Sequence, residues 1–121
     1  MFAVMFVLDD PNELDSILNA WEKAGITGVT IIESTGFHRW RTQRKHIPLL
    51  FDVQPVMVGA ESGNYTLVTI VETQELIDAC IEATEKVVGK LTEPNTGVLM
   101  AWPLSVVRGI PKDRQKKEGN K

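Results

Sequence analysis

The strongest constraint in this chain is a unit that occurs twice: an apolar run of strand length, a capped amphipathic helix that ends in glycine, and a further strand. Residues 2–8 (FAVMFVL) form a short, nearly continuous apolar run that stops at Asp9-Asp10-Pro11, as expected of a strand buried on both faces. A helix is predicted from there. Asp10 suits the cap, Pro11 the first helical position, and Glu13 completes a capping-box-like spacing. Leu14, Ile17, Leu18, Trp21 and Ala24 recur at intervals of three and four to make one apolar stripe, and Gly25 supplies the terminating residue. Residues 29–33 (VTIIE), between Gly28 and Gly36, are β-branched and give the second strand.

The second copy starts at residues 65–71 (YTLVTIV), with Thr73 as the cap of the next helix. Ile77, Cys80, Ile81, Thr84 and Val88 line its buried stripe up to Gly89. A turn holding Pro94 and Asn95 leads to residues 98–102 (VLMAW), the fourth strand, which Pro103 ends. Between the copies, residues 36–63 keep no period and contain Pro48, Pro55, Gly59 and Gly63. A connection longer than about 12–15 residues in a compact domain is usually functional, so this long loop is itself a candidate working part. The order βαββαβ predicts an α+β, ferredoxin-like domain over residues 1–110, with a four-stranded antiparallel sheet and both helices on one face. The strands lack clean polar alternation, so the other face is expected to be covered by further copies of the chain, in a trimer. The charged residues 111–121 read as a disordered tail.

A chain of 121 residues suits one domain and can bury roughly 65–70% of its unfolded surface. The lone Cys80 forms no intrachain disulfide, no secretory signal precedes the first strand, and the longest apolar run is about eight residues against the ~20 of a membrane-spanning helix. These features predict a cytoplasmic protein, peripheral to a membrane only through a partner. Its net charge of −3 is unevenly spread. Residues 38–46 carry Arg39, Arg41, Arg44 and Lys45 with His38 and His46 and no acid, and the last ten residues add a further excess of three positive charges. The rest is acidic by about ten charges, which argues against nucleic acid as a partner.

No catalytic constellation is visible, so a binding protein is expected rather than an enzyme. His38 and His46 sit in the basic loop without a neighbouring nucleophile, and Cys80 reads as a small buried hydrophobe on its helix stripe. Asp10 is explained by capping, and Trp21 and Trp102 by core packing. No metal site is predicted. Glycines at both ends of the second strand let a ligand approach the backbone, and Arg39, Lys90 and Arg108 are cations able to meet a phosphate.

Ala24-Gly25-Ile26-Thr27-Gly28-Val29-Thr30-Ile31, followed by Glu33 and by Gly36-Phe37-His38-Arg39, resembles the second strand and T-loop entry of the PII signalling family. Residues 99–108 (LMAWPLSVVR) are similar to that family's last strand and the arginine after it. The resemblance implies a homotrimer with an adenine nucleotide (ADP, AMP or ATP) in each inter-subunit cleft. It also implies a long loop that docks onto a regulated enzyme or membrane transporter of nitrogen or carbon metabolism. Carried over, Gly28, Val29 and Thr30 flank base and ribose, Gly36, Phe37 and Arg39 border the phosphates, and Gly89, Lys90 and Gly97 belong to the B-loop. Arg108 reaches the phosphates from the neighbouring subunit. His38, Trp40, Arg41, Arg44 and Lys45 fall in the partner-binding loop.

The chain departs from the family pattern at several positions. Residues 92–96 spread the B-loop glycines apart, Val98 stands in place of the family lysine, Trp40 replaces a glutamine used with magnesium and 2-oxoglutarate, and the loop has no tyrosine. These departures keep two other classes in view: an assembly trimer without nucleotide, and a metal-tolerance-type trimer using His38, His46 or Met57 for copper.

Overall fold

The computed structural model describes residues 1–37 and 64–110. Strand β1 (Phe2–Leu8) is followed by a 3₁₀ turn (Pro11–Glu13) and helix α1 (Leu14–Lys23). Strands β2 (Val29–Ser34) and β3 (Asn64–Val71), helix α2 (Gln74–Val88) and strand β4 (Val98–Pro103) complete it. The strands form one antiparallel sheet in the order β2-β3-β1-β4, so the fold is α+β and compatible with the ferredoxin-like arrangement. His38, Arg39, Trp40, Arg41, Arg44 and Lys45, most of the long loop, and the tail lie outside the described residues.

The element ends follow local chemistry. Asp10 caps as expected, its carboxylate accepting from the Asn12 amide at 3.0 Å, but it opens a tight 3₁₀ turn, and the α-helix proper begins only at Leu14. Pro11 fixes φ for that first turn and offers no N–H. Thr73 caps α2 through its hydroxyl, which accepts from the Leu76 amide at 3.2 Å. Gly25 closes α1 at a φ of 101°, and the Ile26 amide beyond it returns to the Trp21 carbonyl at 2.9 Å.

The core lies between the two helices and one face of the sheet. Residues directly opposite in an antiparallel ladder share a face, so the register puts Val4, Phe6 and Leu8 with Leu67 and Thr69 on the helix side. These pack with Ile17 and Trp21 of α1 and Ile77 and Cys80 of α2, and all but Thr69 belong to one apolar cluster. The rings of Phe6 and Trp21 meet at 6.4 Å and 49°, an arrangement worth ~0.5–1.5 kcal/mol beyond area burial. Trp21 donates its indole N–H to the Thr84 hydroxyl at 2.8 Å, and Thr84 donates to the Cys80 carbonyl at 2.7 Å. One hydroxyl thereby satisfies the indole and ties α1 to α2.

Two expectations need correction. β1 is not buried on both faces: Val4, Phe6 and Leu8 are fully buried, while Met5 and Val7 are half-buried, because a single helical layer covers one side only. Trp102 is not core. It sits on edge strand β4 with Val98 and Met100, and the register places all three on the open face with Met5, Val68 and Ile32. Val98, Met100, Trp102 and Ile32 are 57%, 40%, 40% and 47% exposed. Of the thirteen positions that the register assigns to this face, none is charged.

The buried relay makes two outcomes measurable. Thr84→Val strands the Trp21 N–H in the core and should lower unfolding free energy by ~1–3 kcal/mol, read from the urea midpoint. Burial pushes the Cys80 thiol from its ordinary 9.0 up to about 12, against a smaller opposing pull from Thr84. The thiol's stabilising contribution is therefore complete below pH 9 and lost as the pH rises toward 12, because only the unfolded chain ionises. Over that window the parent should lose stability relative to Cys80→Ala, and at pH 8 a thiol reagent should label Cys80 only as fast as the chain opens.

Candidate functional site

The first strand of interest is β2, which is a sheet edge and therefore turns part of its backbone away from any partner strand. Its entry is fixed by Thr69, whose hydroxyl donates to the Gly28 carbonyl. Its exit is fixed by Ser34, whose hydroxyl lies 2.9 Å from that of Thr66 and donates to the Asn64 carbonyl at 3.3 Å. Both ends are thus set by side chains of β3.

A cleft of about 370 Å³ opens at the β2 entry, at the small end of the ~300–1,000 Å³ usual for ligand sites. Gly28, Val29 and Thr30 form one wall, Val68, Thr69 and Ile70 another, and Arg108, Gly109 and Ile110 the third. The third wall arrives from the far side of the sheet. β4 is the opposite edge, so residues 104–110 must traverse the width of β1 and β3, roughly 10–15 Å at ~4.8 Å per strand, to meet β2. The Leu104 amide anchors this crossing on the Met1 carbonyl at 2.9 Å. Leu104, Val107 and Ile110 are half-buried along it, and Arg108 between them is exposed. The Arg108 guanidinium donates to the Val107 carbonyl at 3.0 Å. Among the described residues no acidic side chain lines the cleft, and the Arg108 guanidinium gives that lining a net positive character.

The candidate residues from the sequence divide between two places. Gly28, Val29, Thr30 and Arg108 come together in this cleft within one chain. Gly36 and Phe37 follow the other end of β2, roughly 20 Å from Gly28 at ~3.3 Å per strand residue. Lys90 lines a separate groove along α2 with Asp78, Glu82 and Glu85, and the Glu85 carboxylate accepts from the Leu91 amide at 2.9 Å. Gly89 terminates α2 at a φ of 92° with open space around it. Gly97 does something different: at a φ of 117°, a Cβ there would lie 2.5 Å from the Val7 carbonyl oxygen and 2.8 Å from two carbons of the Phe6 ring. It is a packing glycine. Val68, Ile70 and Ile110 were missed by sequence reasoning, since only the register and the crossing of residues 104–110 bring them to Gly28. Arg39 lies outside the described residues.

Among the described residues, no group of three or more His, Cys, Asp or Glu side chains converges as a metal site would require, and no helix is long and apolar enough to cross a membrane. Comparison with the models of known protein families and with curated proteins yields no match to this chain.

The two glycines are separable by stability. Gly89→Ala should cost only backbone strain, ~1–3 kcal/mol, whereas Gly97→Ala adds a clash worth a further ~1–3 kcal/mol. Equal thermal shifts in the two variants would contradict the packing role of Gly97.

Proposed function

We propose that this chain is a PII-like, ferredoxin-fold regulatory protein. In this reading it assembles as a trimer, binds an adenine nucleotide (ADP, AMP or ATP), and controls an enzyme or transporter through residues 36–63. The observation that carries the reading is the cleft at the β2 entry. Its strand-start glycine, apolar side chains, threonines and the Arg108 guanidinium suit a ligand with a flat apolar part and an anionic end. The uncharged open face supports the trimer, because a contiguous exposed apolar sheet face marks an interaction surface. Signalling then takes the form of a population shift, and a nucleotide moves the loop only by as much as its affinities for the two loop states differ.

A second reading has its own support. Gly97 is filled by packing and Lys90 faces another groove, so the turn between α2 and β4 provides no phosphate cradle of the kind the resemblance implies. A trimer that serves assembly, with no nucleotide, accounts for the open face equally well. Copper binding through His38, His46 or Met57 rests on residues outside those described.

Sedimentation should give about three times the chain mass, and calorimetry should detect ADP or AMP. A charge-assisted contact to phosphate is worth ~1.5–3 kcal/mol, so Arg108→Ala should weaken binding roughly ten- to a hundredfold. A stable monomer at micromolar concentration would remove the trimer. No heat with any adenine nucleotide would leave the assembly reading.

A further inference from the structure

We infer that copies of this chain assemble by strand addition: the free edge of β4 in one copy pairs with the free edge of β2 in the next, and three such joints close a ring. This inference rests on the trimer reading and names the surface it uses. Among the described residues, β2 and β4 each pair on one side only, and a row of unpaired backbone groups is a template for another strand unless charges, bulges or a cover blunt it. β4 has no such guard before Pro103. None of its six residues (VLMAWP) is charged, and all but Leu99 are exposed. The exposure falls on both sides of the edge strands. The register puts Ile32, Met100 and Trp102 on the open face but Ile31 and Ala101 on the helix side, where the chain's own helices leave Ile31 44% exposed and Ala101 exposed as well. Stacking of bare faces would cover only the first set, whereas a strand added at the edge brings side chains to both.

Size points the same way. As a flat rectangle of four strands at ~4.8 Å by six residues at ~3.3 Å, the open face is roughly 400 Å², half of the ~800 Å² that each partner buries in a stable interface. The two edges, each a strip ~20 Å long and ~10 Å deep, roughly double it. Direction then selects β2 as the mate of β4. All pairings are antiparallel and the sheet has four strands, so its two edges run in opposite directions. A copy rotated about an axis along the strands therefore offers its β2 antiparallel to β4, and three copies close with open faces inward, helices outward and no edge left. A two-fold joint of β4 with β4 would leave both β2 edges free and the open face uncovered. Glu33 is the sole ionisable side chain in the two edge strands, so copies of a chain with a net charge of −3 meet here with little repulsion.

Thiols placed at the joint test this. Ile31→Cys and Ala101→Cys lie on the helix side of the two edges, and within one chain they are three strand spacings apart, ~14 Å at ~4.8 Å each. A bismaleimide of shorter reach can join them only between copies. The doubly substituted protein, folded by circular dichroism and trimeric by sedimentation, should give covalent dimers and trimers on a denaturing gel. Each single variant, and the parent with its buried Cys80, should give none. A trimer that yields no crosslink in the double variant would overturn the edge joint while leaving the trimer reading intact. Dimers from Ala101→Cys alone would mean that β4 pairs with itself, which is equally fatal to the joint. If the double variant fails to assemble, hydrogen exchange on the parent decides: the outward amides of residues 99–102 should exchange at least about tenfold slower in the trimer than after dilution to monomer. Equal rates in the two states would refute the joint, equally slow rates assigning the edge to another segment of the same chain. A parent that is monomeric at micromolar concentration removes the trimer reading, and this inference with it.

Discussion

The indole N–H of Trp21 sits at the centre of the core and must find an acceptor there, since an unpaired buried donor costs ~1–3 kcal/mol. Thr84 provides it. That one contact fixes the rotation of α1 against α2, because the two side chains meet only when both helices turn their apolar stripes toward Phe6 and Leu67. With the helices fixed, the sheet has one covered face and one bare face. Among the described residues, the parts this single layer leaves uncovered are the open face, the two edge strands and the crossing segment after β4.

The bare face and the cleft are joined by the same constraint. Because the strand order puts β4 and β2 at opposite edges, a chain that continues past β4 can reach β2 only by crossing the end of the sheet. Residues 104–110 do so, and they bring the Arg108 guanidinium to the cleft at β2. Sheet topology, rather than any local motif, is what places Arg108 beside Gly28. A shift of one residue in the β1–β4 register would exchange the faces of Val98, Met100 and Trp102. It would also shift the start of the crossing and so the place where Arg108 arrives.

The elements themselves were legible because their signals are local. Thr73, Gly25 and Gly89 mark helix ends by cap chemistry, and Ile17, Trp21, Ile77 and Cys80 recur at helical spacing. The burial of β1 and Trp102 was misread because a continuous apolar run looks the same whether a second layer covers it or another chain does. Only pairing partners distinguish the two. Gly97 illustrates the same limit in the site. The resemblance assigns it to the B-loop, yet the space beside it is occupied by the Phe6 ring from a strand some ninety positions earlier.

A ligand at the β2 entry would also act on the fold. It would bridge three segments: the start of an edge strand, the middle of the central strand β3 and a crossing segment with only half-buried anchors. Of these, residues 104–110 gain most, since their anchors are the weakest and an anion bound by Arg108 adds a contact in the middle of the crossing. β4 precedes this segment directly and carries the open face. Tightening the crossing therefore reduces the freedom of β4 at Pro103, which lowers the ordering cost that a second copy would meet when it covers Val98, Met100 and Trp102. Thr30, Val68 and Ile70 line the cleft and also lie on the open face, so binding there and assembly share residues as well as the covalent segment, and any coupling between the two equilibria is reciprocal.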